Sequence, residues 1–236
     1  MPIVMFDKTS GQVIEKRGMF FMDLKRIMIA NTGYGNSGSS AGVSSLTWNH
    51  TVGSGPNRIL TVAVSVYKSS GVVAPTSVTY GGVAMTKIAD VTSSVVNASL
   101  WYLVAPASGT AQVACSFSTT IIGGGVSADY TGVHQTAPLG TAATATGNTT
   151  TATVAVTAAV GDLVIDALAK RDTTEAPTCD ASQTLAYQTV SAYVTAGSNA
   201  HAGMSYEDGA ASVTMSWTWP TNNRYWSIIG VALKRA

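Results

Sequence analysis

Beyond residue 44 the chain is written in short runs where Val, Thr, Ile, Leu and aromatic residues alternate with small polar ones, each run closed by Gly, Pro, Asn or Ser. Alternation at period 2 between turn residues is the signature of half-buried strands. The pattern predicts strands over 45–52, 58–67, 77–80, 84–91, 98–104, 111–118, 125–130, 151–156, 162–169, 184–192, 202–206, 212–217 and 225–234. Tyr80-Gly81-Gly82-Val83 reads as a tight hairpin turn, because paired glycines supply the left-handed conformations such turns need. The stretches 105–109 and 158–162 punctuate the chain in the same way. No amphipathic helix is predicted after residue 44. Regularly spaced strands without intervening helices imply an all-β antiparallel sandwich, jelly-roll-like in type.

The beginning of the chain is different. Residues 1–30 are rich in charge and methionine and follow neither helical nor strand periodicity. They are expected to form an extended N-terminal arm that packs on something outside its own sandwich. Residues 31–44, Asn-Thr-Gly-Tyr-Gly-Asn-Ser-Gly-Ser-Ser-Ala-Gly-Val-Ser, read as a flexible Gly/Ser linker, and 45–236 as the sandwich domain. Asp7, Lys8, Glu15, Lys16, Arg17, Asp23, Lys25 and Arg26 interrupt every apolar run in the arm, so no secretory signal pattern is expected there. No stretch reaches the ~20 apolar residues of a membrane-spanning helix.

Composition sharpens this picture. Of 236 residues, 46% are hydrophobic but only 11% are charged, against about 25% charged in ordinary soluble domains. Ser, Thr, Asn, Gly and Ala must therefore cover the surface, as in shells, fibres and adhesins. A net charge of +1 gives no electrostatic footprint for nucleic acid and little self-repulsion between copies. Cys115 and Cys179 permit one disulfide without requiring it. Val113, Cys115 and Phe117 share a strand face, which makes Cys115 a small buried thiol.

The succession Ser45-Leu46-Thr47-Trp48-Asn49-His50, Asn57-Arg58-Ile59-Leu60-Thr61-Val62-Ala63-Val64-Ser65, Val78-Thr79-Tyr80-Gly81-Gly82-Val83-Ala84-Met85-Thr86, Leu100-Trp101-Tyr102-Leu103-Val104-Ala105-Pro106 and Thr131-Gly132-Val133-His134-Gln135-Thr136-Ala137-Pro138-Leu139-Gly140 carries a resemblance. It is similar to a jelly-roll-like sandwich module of bacterial surface proteins and of phage tail or virion proteins, over roughly residues 40–236. The resemblance implies an architecture and a display role, and no catalytic residues; the arm lies outside it.

Candidate chemistry is sparse. Gly38-Ser39-Ser40-Ala41-Gly42 matches the G-x-S-x-G pattern but lacks the strand-to-helix turn that makes Ser40 a nucleophile. His50, His134 and His201 are far apart and share no metal-ligand spacing, so they read as turn or rim residues. Asp162 and Asp166 would share one face of a strand, as two solvent-facing acids. Asp172, Glu175 and Asp180 are the one loop cluster with calcium-like composition, and a thin one. Gly123-Gly124-Gly125 reads as a bulge or kink. Asn49, Asn97 and Asn148 head chance matches to the glycosylation pattern.

Trp217, Trp219, Tyr225 and Trp226 form the best candidate surface, with two or three of them expected in the core. Trp219 and Tyr225 are the candidate ligand contacts, as apolar plates for a sugar ring or a protein. The sequence-based expectation is thus a non-enzymatic virion component of a bacteriophage (decoration, fibre or tail), without cofactor or metal. Its partners would be copies of itself, other virion proteins and a host-surface glycan. The alternative is a bacterial cell-surface or secreted carbohydrate or adhesion module.

Overall fold

The computed structural model describes residues 4–6, 13–15, 28–171, 176–189 and 200–236, and among these every regular element is a strand. A hairpin pairs β1 (Val4–Phe6) with β2 (Val13–Glu15); the rest of the expected arm up to residue 27 lies outside the described residues. The first half of the body contains β3 (Ala30–Val52), β4 (Ile59–Tyr67), β5 (Ser77–Tyr80), β6 (Val83–Ala84), β7 (Thr86–Ser93), β8 (Val96–Val104) and β9 (Gly109–Thr131). The second contains β10 (Ala143–Thr149), β11 (Thr151–Val156), β12 (Leu163–Arg171), β13 (Thr178–Cys179), β14 (Thr184–Thr189), β15 (Ala200–Asp208), β16 (Val213–Thr218) and β17 (Arg224–Leu233).

Among the described residues all ladders are antiparallel, and those of the body stack in four layers. In the first half, residues 122–130 of β9 pair with β4, giving an inner sheet ordered β3–β9–β4–β8–β7. Residues 113–116 of the same strand pair with β5, and 109–116 pair with residues 45–52 of β3, so β3 and β9 both run on into an outer layer. Four register shifts between Asn31 and Ser45, with Gly38 and Gly42 at φ 64° and 67°, bend this pair over until the sheet nearly closes on itself. The second half has an inner sheet β10–β17–β12–β15–β14 and an outer sheet β11–β16–β13. The two inner sheets face each other.

Three cores result. One lies between the inner sheets, with Ile59, Leu100, Val126, Ile165, Met204 and Val231. The second fills the first half, around Trp48, Val62, Val64, Trp101, Cys115 and Phe117. The third fills the second half, around Val154, Val164, Leu168, Met215, Trp217 and Trp226. A strand covered on both faces reads as a near-continuous apolar run, broken only where a buried polar group finds partners. Accordingly all of β4, Ile-Leu-Thr-Val-Ala-Val-Ser-Val-Tyr, is buried, and β12 from Leu163 to Lys170 is too. The outer strands β11 and β16 alternate between buried and open positions.

The all-β antiparallel sandwich agrees with the sequence. The Gly81-Gly82 hairpin agrees as well, with both glycines at positive φ and Tyr80 paired to Val83. The 31–44 linker does not: these residues belong to β3 and pair with β9. Gly38 and Gly42 supply the left-handed conformations of the bend, and Gly33 and Gly35 serve close approach. A Cβ on Gly33 would lie 2.8 Å from Asp129 Oδ1, and one on Gly35 would lie 2.9 Å from Ser127 Oγ. Gly125 is pinned in the same manner, since its Cβ would sit 2.4 Å from the Trp48 ring. Gly125→Ala is expected to cost about 1–3 kcal/mol by overpacking, read as a lowered urea midpoint with a shifted tryptophan emission. An unchanged midpoint would show that Trp48 has room to move.

Candidate functional site

Polar chemistry in this body concentrates in two buried networks, one in each half. In the first, Trp48 and His50 alternate inward from the outer part of β3, and Ser127 and Asp129 alternate inward from the inner part of β9. The Trp48 indole N–H donates to Ser127 Oγ at 2.8 Å, and Ser127 Oγ lies 2.9 Å from His50 Nδ1. An indole can only donate and an ionised carboxylate can only accept, so Ser127 accepts from Trp48, the imidazole hydrogen lies on the nitrogen that faces Asp129, and Nδ1 of the neutral ring accepts from Ser127. His50 then carries its hydrogen on Nε2, 3.1 Å from Asp129 Oδ1. Thr32 Oγ1 and the Gly53 N–H, the latter at 3.0 Å, donate to Asp129 Oδ2. Burial works against the Asp129 carboxylate, but the hydrogen bonds from His50, Thr32 and Gly53 outweigh it and hold the group below its ordinary pKa.

Ser, His and Asp in hydrogen-bonded sequence have the composition of a hydrolytic triad. Here His50 is 1% exposed and Ser127 and Asp129 are 0% exposed. The serine hydroxyl is engaged on both sides, and Gly33 and Gly35 lie against the network. What this arrangement does is fasten β3 to β9 across the bend.

The second network centres on Asp166 of β12. Its Oδ1 accepts the Ser205 N–H at 2.7 Å, and its Oδ2 accepts the Trp217 indole N–H at 2.6 Å. Gln183 Nε2 donates to Ser205 Oγ at 2.6 Å and lies 3.4 Å from Asp166 Oδ2, while Gln183 Oε1 accepts the Ser216 N–H at 2.7 Å. One carboxyl thus ties the inner strands β12 and β15 to the outer strand β16. Burial pushes it up to about 7, against the pull of these donors from Trp217, Ser205 and Gln183. Nearby, Lys170 Nζ sits 4.9 Å from the centroid of the Trp219 ring.

No protein-family model, no curated protein and no solved structure matches this chain.

Trp219 is buried, 4% exposed, with Lys170 over its ring and its indole N–H directed at the Asn222 carbonyl, 3.3 Å away. It presents no plate to a sugar, which corrects that expectation. Tyr225 is half-buried against a small cluster of Tyr67, Val96 and Ala200. Trp217 and Trp226 are core residues, as expected for part of this group. His50 and His201 are buried, not rim residues, whereas exposed His134 does cap a turn, its Nδ1 accepting the N–H groups of Thr136 and Ala137. Asp166 is internal, and Asp162 accepts the N–H groups of Ala159 and Arg235, so the two are not a solvent-facing pair.

Cys115 and Cys179 are free thiols, one in the first-half core and the other beside the second-half core. Burial pushes the Cys115 thiol up to about 12. Asp172 and Glu175 lie outside the described residues, and Asp180 holds Ser182 in a turn. Among the described residues no group of three or more His, Cys, Asp or Glu side chains converges on a metal position.

Two clefts open on the surface of the first half. A cleft of about 350 Å³ runs between the Gly81 hairpin and the 103–111 connection, lined by Tyr80, Val83, Leu103, Pro106 and Ala111. Another of about 380 Å³ lies beside Tyr67, Lys68 and Ile122.

The Asp166 assignment predicts a sign. Unfolded, the carboxyl ionises near its ordinary 3.8; folded, it keeps its proton to about 7. Stability should therefore fall as pH rises from about 4 to about 7, then level off. Asp129, held low, acts below that window. Urea midpoints at about pH 5 and pH 8 should differ for the native chain, lower at the higher pH, and should converge in Asp166→Asn. An equal pH slope in that variant would place the titration elsewhere.

Proposed function

We propose that this chain is a non-catalytic structural protein of a bacteriophage particle, a decoration, fibre or tail component that works by multivalent display and assembly. The observation that carries the reading is where the reactive side chains sit. His50, Asp129, Asp166, Lys170, Trp217 and Trp219 are all buried, and the hydrogen bonds of His50, Asp129, Asp166 and Trp217 tie strand to strand. The outer strand β11, Thr-Ala-Thr-Val-Ala-Val, turns Thr and Ala toward solvent. Such a surface offers many weak, uncharged contacts, which become effective through repetition.

The carbohydrate-module alternative loses its best platform with the burial of Trp219. In the particle reading, residues 1–27 anchor the body to neighbouring subunits by strand addition at an exposed sheet edge.

Light scattering on the full chain and on a version lacking residues 1–27 tests this. The cut spares β3, which begins at Ala30. A defined oligomer for the full chain and a folded monomer for the truncated one is the expected result. Identical folded monomers would remove the assembly role from the segment and favour a display module.

A further inference from the structure

The two halves of the body follow one plan, residue by residue. In the ladder of β4 with β8, the pairs Ile59↔Val104, Thr61↔Tyr102, Val64↔Ser99 and Tyr67↔Val96 have counterparts in β12 with β15. These are Leu163↔Asp208, Ile165↔Tyr206, Leu168↔Gly203 and Arg171↔Ala200, all displaced by one constant offset. The ladder of β4 with β9 maps onto β12 with β17 in the same way, Ile59↔Tyr130 onto Leu163↔Leu233 and Val66↔Gly123 onto Lys170↔Trp226. In the outer layers, Leu46↔Cys115 and Trp48↔Val113 match Val154↔Met215 and Val156↔Val213. Even the left-handed residue before the central strand recurs, as Asn57 at φ 54° and Gly161 at φ 98°.

The halves also meet through equivalent residues. The Arg171 guanidinium lies 5.5 Å from the ring centroid of Tyr67, its own counterpart. Val96 and its counterpart Ala200 share one small cluster. At the opposite end the chain segments following β9 and β17 pair antiparallel: Val133 bridges Arg235, His134 N–H donates to the Lys234 carbonyl at 2.8 Å, and Ala236 N–H donates to the Gly132 carbonyl at 2.9 Å. Off the centre, contacts are reciprocal: β9 lies on β15 as β17 lies on β8, and β3 lies on β14 as β10 lies on β7. Self-contacts in the middle and reciprocal contacts outside it define a two-fold, isologous interface.

We infer that the face between the halves is a self-recognising surface whose fitting partner is a second copy of the same half. The shared core is built of Ile, Leu, Val, Ala, Met and Tyr residues, with Arg171 at its margin against Tyr67. Ile59, Ala63 and Leu100 on one side answer Leu163, Ala167 and Met204 at the equivalent places on the other. Exchanging the second set for the first changes shape slightly and puts a second Tyr67 where Arg171 stood, so it adds no charge to the face, the kind of change apolar cores tolerate best. The chain is a dimer fused into one polypeptide, and its central face is a dimer interface.

The full chain can test this after one cut. A protease site placed between Thr136 and Ala137, which are exposed, is cleaved in the folded protein; the product is unfolded in urea, refolded and sorted by native mass spectrometry. Pairs of first half with first half are expected within about tenfold of the mixed pair, a gap of no more than about 1.4 kcal/mol. Return of the mixed pair alone, or of unpaired fragments, overturns the inference. A second chain needs no refolding step: residues 143–236 are replaced by a second copy of 28–131 behind the native connection. A soluble monomer that unfolds in one transition supports the inference, and an insoluble or molten product overturns it.

Discussion

Two sheets pressed face to face, each also covered on its far side, set the terms for everything else in this protein. Stacked sheets sit about 10 Å apart, so the central core takes Ala63, Ala98, Ala128, Ala167, Ala169 and Ala202 beside larger Ile, Leu and Met residues. Once the inner faces are joined, the outward faces still need cover of their own: that of β4 is apolar, with Leu60, Val62, Val64 and Val66, and that of β12 alternates Val164 and Leu168 with Asp166 and Lys170. The first half supplies it by bending β3 and β9 over the top, and the second by adding β11, β16 and β13. A high hydrophobic fraction with few charges suits a body whose central strands β4 and β12 are covered on both faces.

Each half then fixes its outer layer with one buried polar network, and the two networks occupy non-equivalent places. Asp166 stands where the first half has Val62, and Ser205 and Trp217 stand where it has Trp101 and Phe117. The indole has moved from the inner layer to the outer one, and the space it left holds a serine and a carboxyl. Conversely Ser127 and Asp129 have Gly230 and Ala232 as their counterparts. Buried polar networks of this kind fix geometry when fully satisfied, because any slip strands a donor or a charge in a dry interior.

Much of the strand pattern was legible beforehand. Strands over 77–80 and 151–156 stand where the alternation put them, because outer-layer strands do have one wet face. The inner layers misled for a physical reason. Val126-Ser127-Ala128-Asp129-Tyr130 alternates as a solvated strand would, yet its polar face looks into the His50 network. Gly33 and Gly35 look like flexibility and are instead the room that network requires. Trp219 looked like a binding plate because spacing cannot distinguish an exposed ring from one beneath a lysine. The duplication did leave a signal. Ala74-Pro75-Thr76 recurs as Ala176-Pro177-Thr178, and Gly109-Thr-Ala-Gln-Val-Ala-Cys-Ser-Phe117 as Gly209-Ala-Ala-Ser-Val-Thr-Met-Ser-Trp217. Reading strand by strand at period 2 looks past a repeat that spans half the body.

The claim on which this account rests is that the two halves are one cooperative unit, joined through the face they share. Native-state hydrogen exchange measures that directly, because amides that open only with global unfolding report the whole stability and those in separable units report less. Amides of β4 and β12 should exchange with the same, highest opening free energy and respond identically to added denaturant. If one half's central strand opens at clearly lower free energy while the other stays closed, the halves are independent modules and the shared face is not what holds the protein together.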